Sequence, residues 1–279
     1  MQAEDHLRNG DLGQALTALQ EAVRDDPSDA KLRVFLFQLL AVMGQWDRAL
    51  TQLNVVGDMD ASAMPMVHAF RAVIACEAFR EQVFTGQRSP LILGEPEPWV
   101  GALVQANAAL GAGQVDQARA LREQALAAAP AIGGRINGQP FAWLADGDDR
   151  LGPVLEVILE GRYYWAPWQR IASLSLEAPR DLRDVVWMAA QLRWTNGGEA
   201  VGFIPTRYAG TAEAGDDALR LARKTDWREA GEGLYVGLGQ RMFVTDAAEH
   251  AFLEVRSIEM EVDEQASAAA PADREAPDA

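Results

Sequence analysis

The amino-acid sequence predicts an α+β protein, in which N-terminal tetratricopeptide-like helical repeats are followed by a mainly antiparallel α+β domain. The first observation is a repeat with a period of 34 residues near the N-terminus, which is the tetratricopeptide length. The second is a change of apolar pattern, from helical spacing up to about residue 130 to alternation after about residue 160. We therefore expect a helical repeat domain over residues 1–130, a packed connection over 131–152 and an α+β domain over 153–260.

The helical prediction depends on small residues that recur at the repeat spacing. Ala15 and Ala49 would let two antiparallel helices approach, Gly10 and Gly44 would lie in the turns, and Pro27 would end the second helix. A degenerate third copy follows, and residues 63–84 between the copies are expected to form one helix. The other repeated positions are Leu12, Leu16 and Leu19 with Trp46, Leu50 and Leu53, and the third copy contains Gly113, Val115, Ala118, Ala125 and Pro130.

The second half of the chain has the shorter period and the turn residues of a sheet. Residues 171–176 alternate as a half-buried strand does, and a short helical run is expected from Asp181 through Ala189. The Asn196-Gly197 pair predicts a tight hairpin turn between two strands. Residues 235–245 and 252–260 should form another hairpin. We interpret Gly237 and Gly239 as glycines that relieve crowding of the backbone within its first strand.

Composition excludes several classes of partner. The formal net charge of −16 argues against binding nucleic acid, whose affinity rests on clustered Lys and Arg. Cys76 is the one cysteine, which excludes an intramolecular disulfide. The sequence begins without a signal-type segment and contains no stretch of roughly 20 apolar residues, so we expect a cytoplasmic protein without a membrane partner. The acidic tail, residues 261–279, should be disordered, and a solvated terminus without a role is favoured over a tether.

The common catalytic and metal-binding signatures are absent from the sequence. There is no Gly-rich phosphate loop, no Gly-x-Ser-x-Gly turn and no His-Glu-x-x-His pair. Asp146, Asp148 and Asp149 look like the start of a calcium loop, but Val157 replaces the closing Glu, so we interpret them as a solvated acidic turn. We therefore expect no enzyme activity, no cofactor and no metal.

The densest aromatic block covers residues 162–170. Core packing is the favoured interpretation of such a cluster, and a partner surface is the best functional alternative, because Trp, Tyr and Arg are enriched at binding hot spots. The candidate partner residues in this region are Tyr163, Tyr164, Trp165, Trp168, Arg180, Arg183 and Arg207.

Five segments in a fixed order carry a family resemblance. They are residues 162–168 (RYYWAPW), 177–187 (EAPRDLRDVVW), 205–208 (PTRY), 223–227 (RKTDW) and 239–243 (GQRMF). Together with the N-terminal repeats, they resemble the ImpE family, also called TagJ or SciE-type. The resemblance covers about residues 1–260 and leaves out only the acidic tail.

This resemblance implies a non-enzymatic adaptor of bacterial type VI secretion. Members of the family are similar in binding a helix near the N-terminus of the small contractile-sheath subunit, and they are linked to ClpV, the ATPase that disassembles the sheath. A general peptide-binding chaperone of the secretion apparatus is the first alternative. The other is an enzyme that uses the aromatic block as a pocket, with Asp181, Asp184 or Asp226 as acid or base, although no spacing supports that role.

The repeats themselves suggest where a partner helix would bind. A repeat array offers a concave groove into which an amphipathic helix can lay its apolar face. The aromatic and arginine residues of the second half are the competing surface. By repeat register, the first helix of the second copy would present to the groove the residues Lys31, Val34, Gln38, Ala41 and Val42.

Overall fold

The computed structural model describes residues 2–95 and 97–261. The first part of the chain is helical, and a single long helix covers Met64–Phe84, which confirms the prediction of one helix in the segment 63–84. The acidic tail prediction lies outside the described residues, apart from Glu261. The helices are α1 (Gln2–Arg8), α2 (Leu12–Asp25), α3 (Ala30–Val42), α4 (Trp46–Met59), α5 (Met64–Phe84), α6 (Pro98–Gly111) and α7 (Val115–Ala128), with a short α8 (Asp217–Arg220) later in the chain.

The predicted repeats are present as helical hairpins. Gly10, Gly44 and Gly113 have φ angles of +78°, +69° and +74° in the turns of the pairs α1–α2, α3–α4 and α6–α7. This left-handed region is open to glycine at no steric cost, which is why the same residue recurs there. Ala15 and Ala49 are fully buried between the helices, as the spacing predicts.

A nine-stranded sheet dominates the second part of the chain, in the order β1-β6-β5-β9-β8-β7-β14-β2-β3. Its pairs are antiparallel except β1 with β6, which confirms the mainly antiparallel prediction. Two smaller sheets have the orders β10-β11 and β13-β12-β4. The strands are β1 (Leu91–Ile92), β2 (Gly134–Ile136), β3 (Gln139–Phe141), β4 (Leu144–Asp146), β5 (Val154–Leu159), β6 (Arg162–Pro167), β7 (Ile171–Leu176), β8 (Trp187–Trp194), β9 (Glu199–Pro205), β10 (Thr225–Gly231), β11 (Leu234–Gly239), β12 (Met242–Thr245), β13 (Glu249–Ala251) and β14 (Ser257–Met260).

The large sheet separates two apolar cores. On one face, Trp165, Trp187 and Phe203 pack against the helices, and the rings of Phe203 and Phe70 lie 5.2 Å apart. On the other face, a second core forms around residues such as Phe243 and Phe252. Because alternate residues of a strand point to opposite faces, β5, which is buried along its whole length, contributes side chains to both cores.

The segment 131–152 is more than the packed connection that the sequence suggests. Strands β2 and β3 extend the nine-stranded sheet, and β4 pairs with β12. Strand β1, from the helical part, pairs with β6, and one core of buried residues is built from both parts of the chain. The division into the domains 1–130 and 153–260 therefore stays a prediction, while the contacts across it are extensive.

Two local predictions are wrong in part. The run from Asp181 is a single 3-10 turn, Leu182–Val185, and Ala189 lies in β8, because that strand pairs on both sides with β7 and β9. The last predicted hairpin is real only as β12–β13; β14 pairs instead with β7 and β2. The Asn196-Gly197 hairpin joins β8 to β9 as predicted, with Gly197 at φ +85°.

Within residues 2–95 and 97–261, no helix is both long enough and apolar enough to cross a membrane.

Candidate partner-binding cleft and the buried charges behind it

The predicted concave groove is occupied at one end by the chain itself. Ala41 and Val42 are fully buried, and their carbonyl oxygens accept hydrogen bonds from Arg207 at 3.5 and 2.7 Å. The prediction that Ala41 and Val42 face a partner is therefore wrong, because the sheet half packs on the end of α3. Lys31 is exposed and Val34 is half-buried against the core.

The aromatic block is core and not surface. Tyr163, Trp165 and Trp168 are at most 3% exposed, so the hypothesis that they contact a partner is wrong and the core interpretation holds. Tyr163 and Trp165, two residues apart on β6, both point toward the helices. Trp168 instead packs edge-to-face against the ring of Phe243 in the second core. Tyr164 is half-buried on the same side as Trp168.

The three predicted arginines take separate places. Arg180 is exposed and forms an ion pair with Glu177 at 3.2 Å. Arg183 lies over the ring of Phe70, with its guanidinium carbon 4.9 Å from the ring centroid. Arg207 is 4% exposed, so the hypothesis that it contacts a partner is wrong.

The three aspartates of the enzyme hypothesis are not gathered in a pocket. Asp181 and Asp184 form a capping box at the 3-10 turn, where they accept backbone hydrogen bonds. Asp226 lies on exposed β10 and pairs with Lys224 at 3.0 Å. The arrangement gives these carboxylates local structural partners and no common reaction centre.

A buried charge cluster, which the sequence reasoning missed, lies between the helices and the sheet. Glu156 is fully buried on β5, and it accepts hydrogen bonds from Arg80 Nε at 2.6 Å, from the Tyr163 hydroxyl at 2.5 Å and from Arg241. Burial works to raise its pKa, but attraction to Arg80 and Arg241 outweighs burial and lowers the pKa to about 2. The only sequence signal is a charged residue inside the apolar run of β5.

The predicted acidic turn is also part of this cluster. Asp146 and Asp148 are 4% and 0% exposed, so the prediction of a solvated turn is wrong. Arg241 donates to Asp146, while Arg150 donates to Asp148 at 2.6 and 2.9 Å. Burial raises the pKa of Asp146 to about 6, against the attraction of Arg241. No group of His, Cys, Asp or Glu side chains among the described residues is arranged to hold a metal ion.

The cluster ties α5 to the sheet. Arg80 also contacts Glu77 at 3.3 Å and donates to the carbonyl oxygen of Arg207 at 2.8 Å. Glu77 accepts from the indole of Trp187 at 2.6 Å. Buried charges are tolerated when each is paired and hydrogen-bonded, and breaking such a pair is strongly destabilising. The helical half and the sheet half are thus held in a fixed relation on either side of α5.

Cys76 shows no sign of a catalytic role. Its thiol is buried and donates to the carbonyl oxygen of Gly161 at 3.3 Å. Burial, assisted by the negative charge of Glu77, raises its pKa to about 11, so the thiolate is disfavoured.

An open cleft remains at the edge of the predicted groove. We call it the junction cleft, because α1 and α3 supply one wall and the segments 180–185 and 221–223 supply the other. Gln38 and Arg180, one residue from each predicted surface, both line it, although Gln38 is only 7% exposed. Its apolar side chains are Leu7, Phe35, Leu182, Val185 and Leu221, and its charged side chains are Glu4, Arg8, Arg180, Asp181 and Arg223.

Both walls of the junction cleft are tied to the rest of the molecule. Arg223 donates to the carbonyl oxygens of Leu7 and Arg8 at 2.8 and 3.1 Å. The backbone N–H of Leu12 donates to Asp217 at 3.0 Å. On the other side, the Thr206 hydroxyl donates to the carbonyl oxygen of Asp184 at 2.7 Å. The junction cleft is consequently formed by contacts within the chain itself.

Comparisons with known proteins agree with both parts of this architecture. The family model described as ImpE protein matches residues 138–259, and one described as tetratricopeptide repeat matches residues 6–74. Among solved structures, protein VPA1032 from Vibrio parahaemolyticus superposes with a TM-score of 0.87 at 26% identity, over 95% of this chain and 100% of that one. The chain is 56% identical over 261 residues to the type VI secretion system accessory component TagJ of Pseudomonas aeruginosa, covering 94% of this chain and 92% of that protein. From this agreement along almost the whole sequence, we conclude that the chain belongs to the ImpE family.

Proposed function

We propose that this protein is a non-enzymatic adaptor of a bacterial type VI secretion system and acts in the cytoplasm. In this proposal it binds an N-terminal helix of the small contractile-sheath subunit and assists handling of the sheath by the ClpV ATPase. The observation that carries the adaptor role is the similarity to an accessory component of type VI secretion over 94% of the chain. The tetratricopeptide-type repeats support it, because such arrays commonly bind protein segments.

The junction cleft is our candidate for the helix-binding site. Its floor contains Phe35, Leu182 and Val185, each half-buried and therefore still partly open to a partner. An amphipathic helix binds such a groove through apolar anchors spaced by three or four residues. Burial of those anchors would supply most of the affinity, since hot spots lie in the apolar centre of an interface.

The charged rim of the junction cleft would orient the bound helix. Arg180 lies at one side with its head exposed, and Arg223 lies at the other. Rim charges contribute more to orientation and association rate than to affinity. We expect acidic residues of the partner helix to lie beside these two arginines.

The test is a fluorescence anisotropy titration of the full chain with a labelled peptide of the sheath subunit's N-terminal helix. Saturable binding is expected, and a scrambled peptide should not bind. Phe35→Asp should weaken binding about tenfold or more, because it places a charge on the apolar floor. Val201→Asp is the matched control: Val201 is 72% exposed on an uncovered part of the sheet, so the same substitution there should leave binding unchanged.

A second variant protects this test from a folding defect. Arg180→Glu changes an exposed side chain and should weaken binding by a smaller factor while the circular dichroism spectrum stays the same. Wild-type affinity in both Phe35→Asp and Arg180→Glu would exclude the junction cleft as the binding site. Equal binding of unrelated amphipathic peptides would instead favour the general chaperone.

A further inference from the structure

The hairpin of β10 and β11 carries an unpaired strand edge. The backbone N–H groups on the outer edge of β11 form hydrogen bonds within the chain. Those of Tyr235 and Gly237 donate to Asp149 and Asp148 at 2.6 and 2.8 Å, and that of Gly239 donates to the Thr211 hydroxyl at 2.9 Å. No strand among the described residues pairs with the outer edge of β10.

The backbone alternation of the hairpin fixes which groups of β10 point outward. Because residues 235, 237 and 239 of β11 point away from β10, residues 236 and 238 bond to it, and their partners are Arg228 and Asp226. The carbonyl oxygen of Lys224, which accepts from Gln240 N at 2.9 Å, fits the same alternation. Thr225, Trp227 and Glu229 therefore direct their backbone N–H and C=O groups to the open edge.

The charges along this edge are self-complementary. If two copies of β10 lie antiparallel and centred on Trp227, each outward residue meets an outward residue, and such pairs exchange two N–H···O bonds. In that register Asp226 of one copy lies opposite Arg228 of the other, on both sides of the centre. Opposite charges directly across an antiparallel pair are stabilising.

We propose that a second copy of this chain pairs with the open edge of β10 to form a two-fold symmetric dimer with a continuous four-stranded sheet. A two-fold interface uses the same patch on both subunits, which is the condition that this strand meets. The side-chain face adds apolar contact, because Trp227 and Tyr235 are 43% and 46% exposed and lie on the same face of the hairpin.

Contacts with the rest of the chain fix the position of the hairpin of β10 and β11. The Trp227 ring packs on the ring of Tyr208 at 5.6 Å, which fixes the middle of β10. Near the turn, the backbone of Gly231 lies against Val115 of α7, and Glu232 pairs with Arg119 at 3.7 Å. Helix α7 thus anchors the tip, while Asp226, Arg228 and Glu229 remain exposed. A preorganised edge loses little conformational freedom on association.

The test is the molar mass of the full chain in solution across a range of protein concentrations, by analytical ultracentrifugation. The wild type should reach the dimer mass. Asp226→Arg should weaken dimerisation about tenfold or more, because it sets like charges opposite each other on both sides of the centre. The double variant Asp226→Arg/Arg228→Asp restores opposite charges and should restore the dimer. A wild type that stays monomeric, or a double variant no better than the single one, would overturn the proposal.

A backbone variant gives an independent readout. Glu229→Pro removes an outward N–H group that bonds to nothing inside the hairpin, so it should abolish the dimer and leave the monomer folded. Dimerisation of Glu229→Pro at wild-type strength would contradict edge pairing. Peptide titration on the same variants should be unchanged, because the junction cleft lies on other elements; failure of one proposal is therefore distinguishable from failure of the other.

Discussion

Glu156 joins three separate segments of the chain. Its carboxylate accepts from α5 through Arg80, from β6 through Tyr163 and from the chain before β12 through Arg241. Two of these partners are distant in sequence, with Arg80 and Arg241 lying 76 and 85 residues away. No spacing rule connects such residues, which is why the cluster could not be predicted from the sequence.

Glu156→Gln should lower the free energy of unfolding by about 3 kcal/mol, since two buried guanidiniums each lose one of their two carboxylate partners. Urea denaturation at neutral pH measures this. The matched control is Glu177→Gln, which removes the carboxylate from an exposed ion pair with Arg180 and should cost less than about 1 kcal/mol. Equal effects of the two substitutions would contradict the structural role of Glu156.

The same residue predicts a pH dependence. Its pKa is about 2 in the folded chain against a usual 4.5, so the folded state binds the proton more weakly than the unfolded state. The stabilisation is complete above about pH 4.5 and is lost as the pH falls toward 2. Urea titrations should therefore show the difference between wild type and Glu156→Gln shrinking below pH 4.5; a constant difference down to pH 3 would refute the lowered pKa.

At the scale of the element, helices and strands with a clear apolar period are predictable from the sequence, but the residues at which they end are not. The repeat helices, strand 171–176 and the Asn196-Gly197 hairpin follow directly from spacing and turn chemistry. The 3-10 turn at Leu182–Val185 resembles a helix in the sequence because its capping box is the same signal that begins a helix. Strand β8 then starts at once, since pairing with neighbours on both sides outweighs local propensity.

The turn glycines of the repeats offer an element-scale prediction. Gly44 and Gly113 have the same left-handed backbone, but a Cβ on Gly44 would lie 2.5 Å from the Cβ of Ala212, whereas one on Gly113 would meet nothing within 4 Å. Gly113→Ala should cost about 1 kcal/mol for the backbone alone. Gly44→Ala should cost about 1–3 kcal/mol more, because it pushes the repeats away from the sheet half.

Thermal or urea unfolding of the two glycine variants measures the difference. If Gly44→Ala is as mild as Gly113→Ala, the turn of α3–α4 does not pack closely on the segment that contains Ala212.

At the scale of the whole molecule, the repeats and the sheet share one core, and this sharing decides which surfaces remain available. The sheet half covers Ala41 and Val42, so the groove that repeats alone would offer is reduced to the junction cleft. Gln38 and Arg180 were each predicted as partner residues, on separate surfaces. That both line one cleft depends on long-range packing, which sequence periodicity does not encode.

The central claim is that a partner helix binds in the junction cleft. Hydrogen–deuterium exchange of the full chain, with and without saturating sheath peptide, tests it most directly. The account predicts slower exchange in residues 4–8, 35–38, 180–185 and 221–223, with no change in residues 189–201 on the uncovered part of the sheet. Protection confined to residues 189–201, or to the hairpin of β10 and β11, would contradict it.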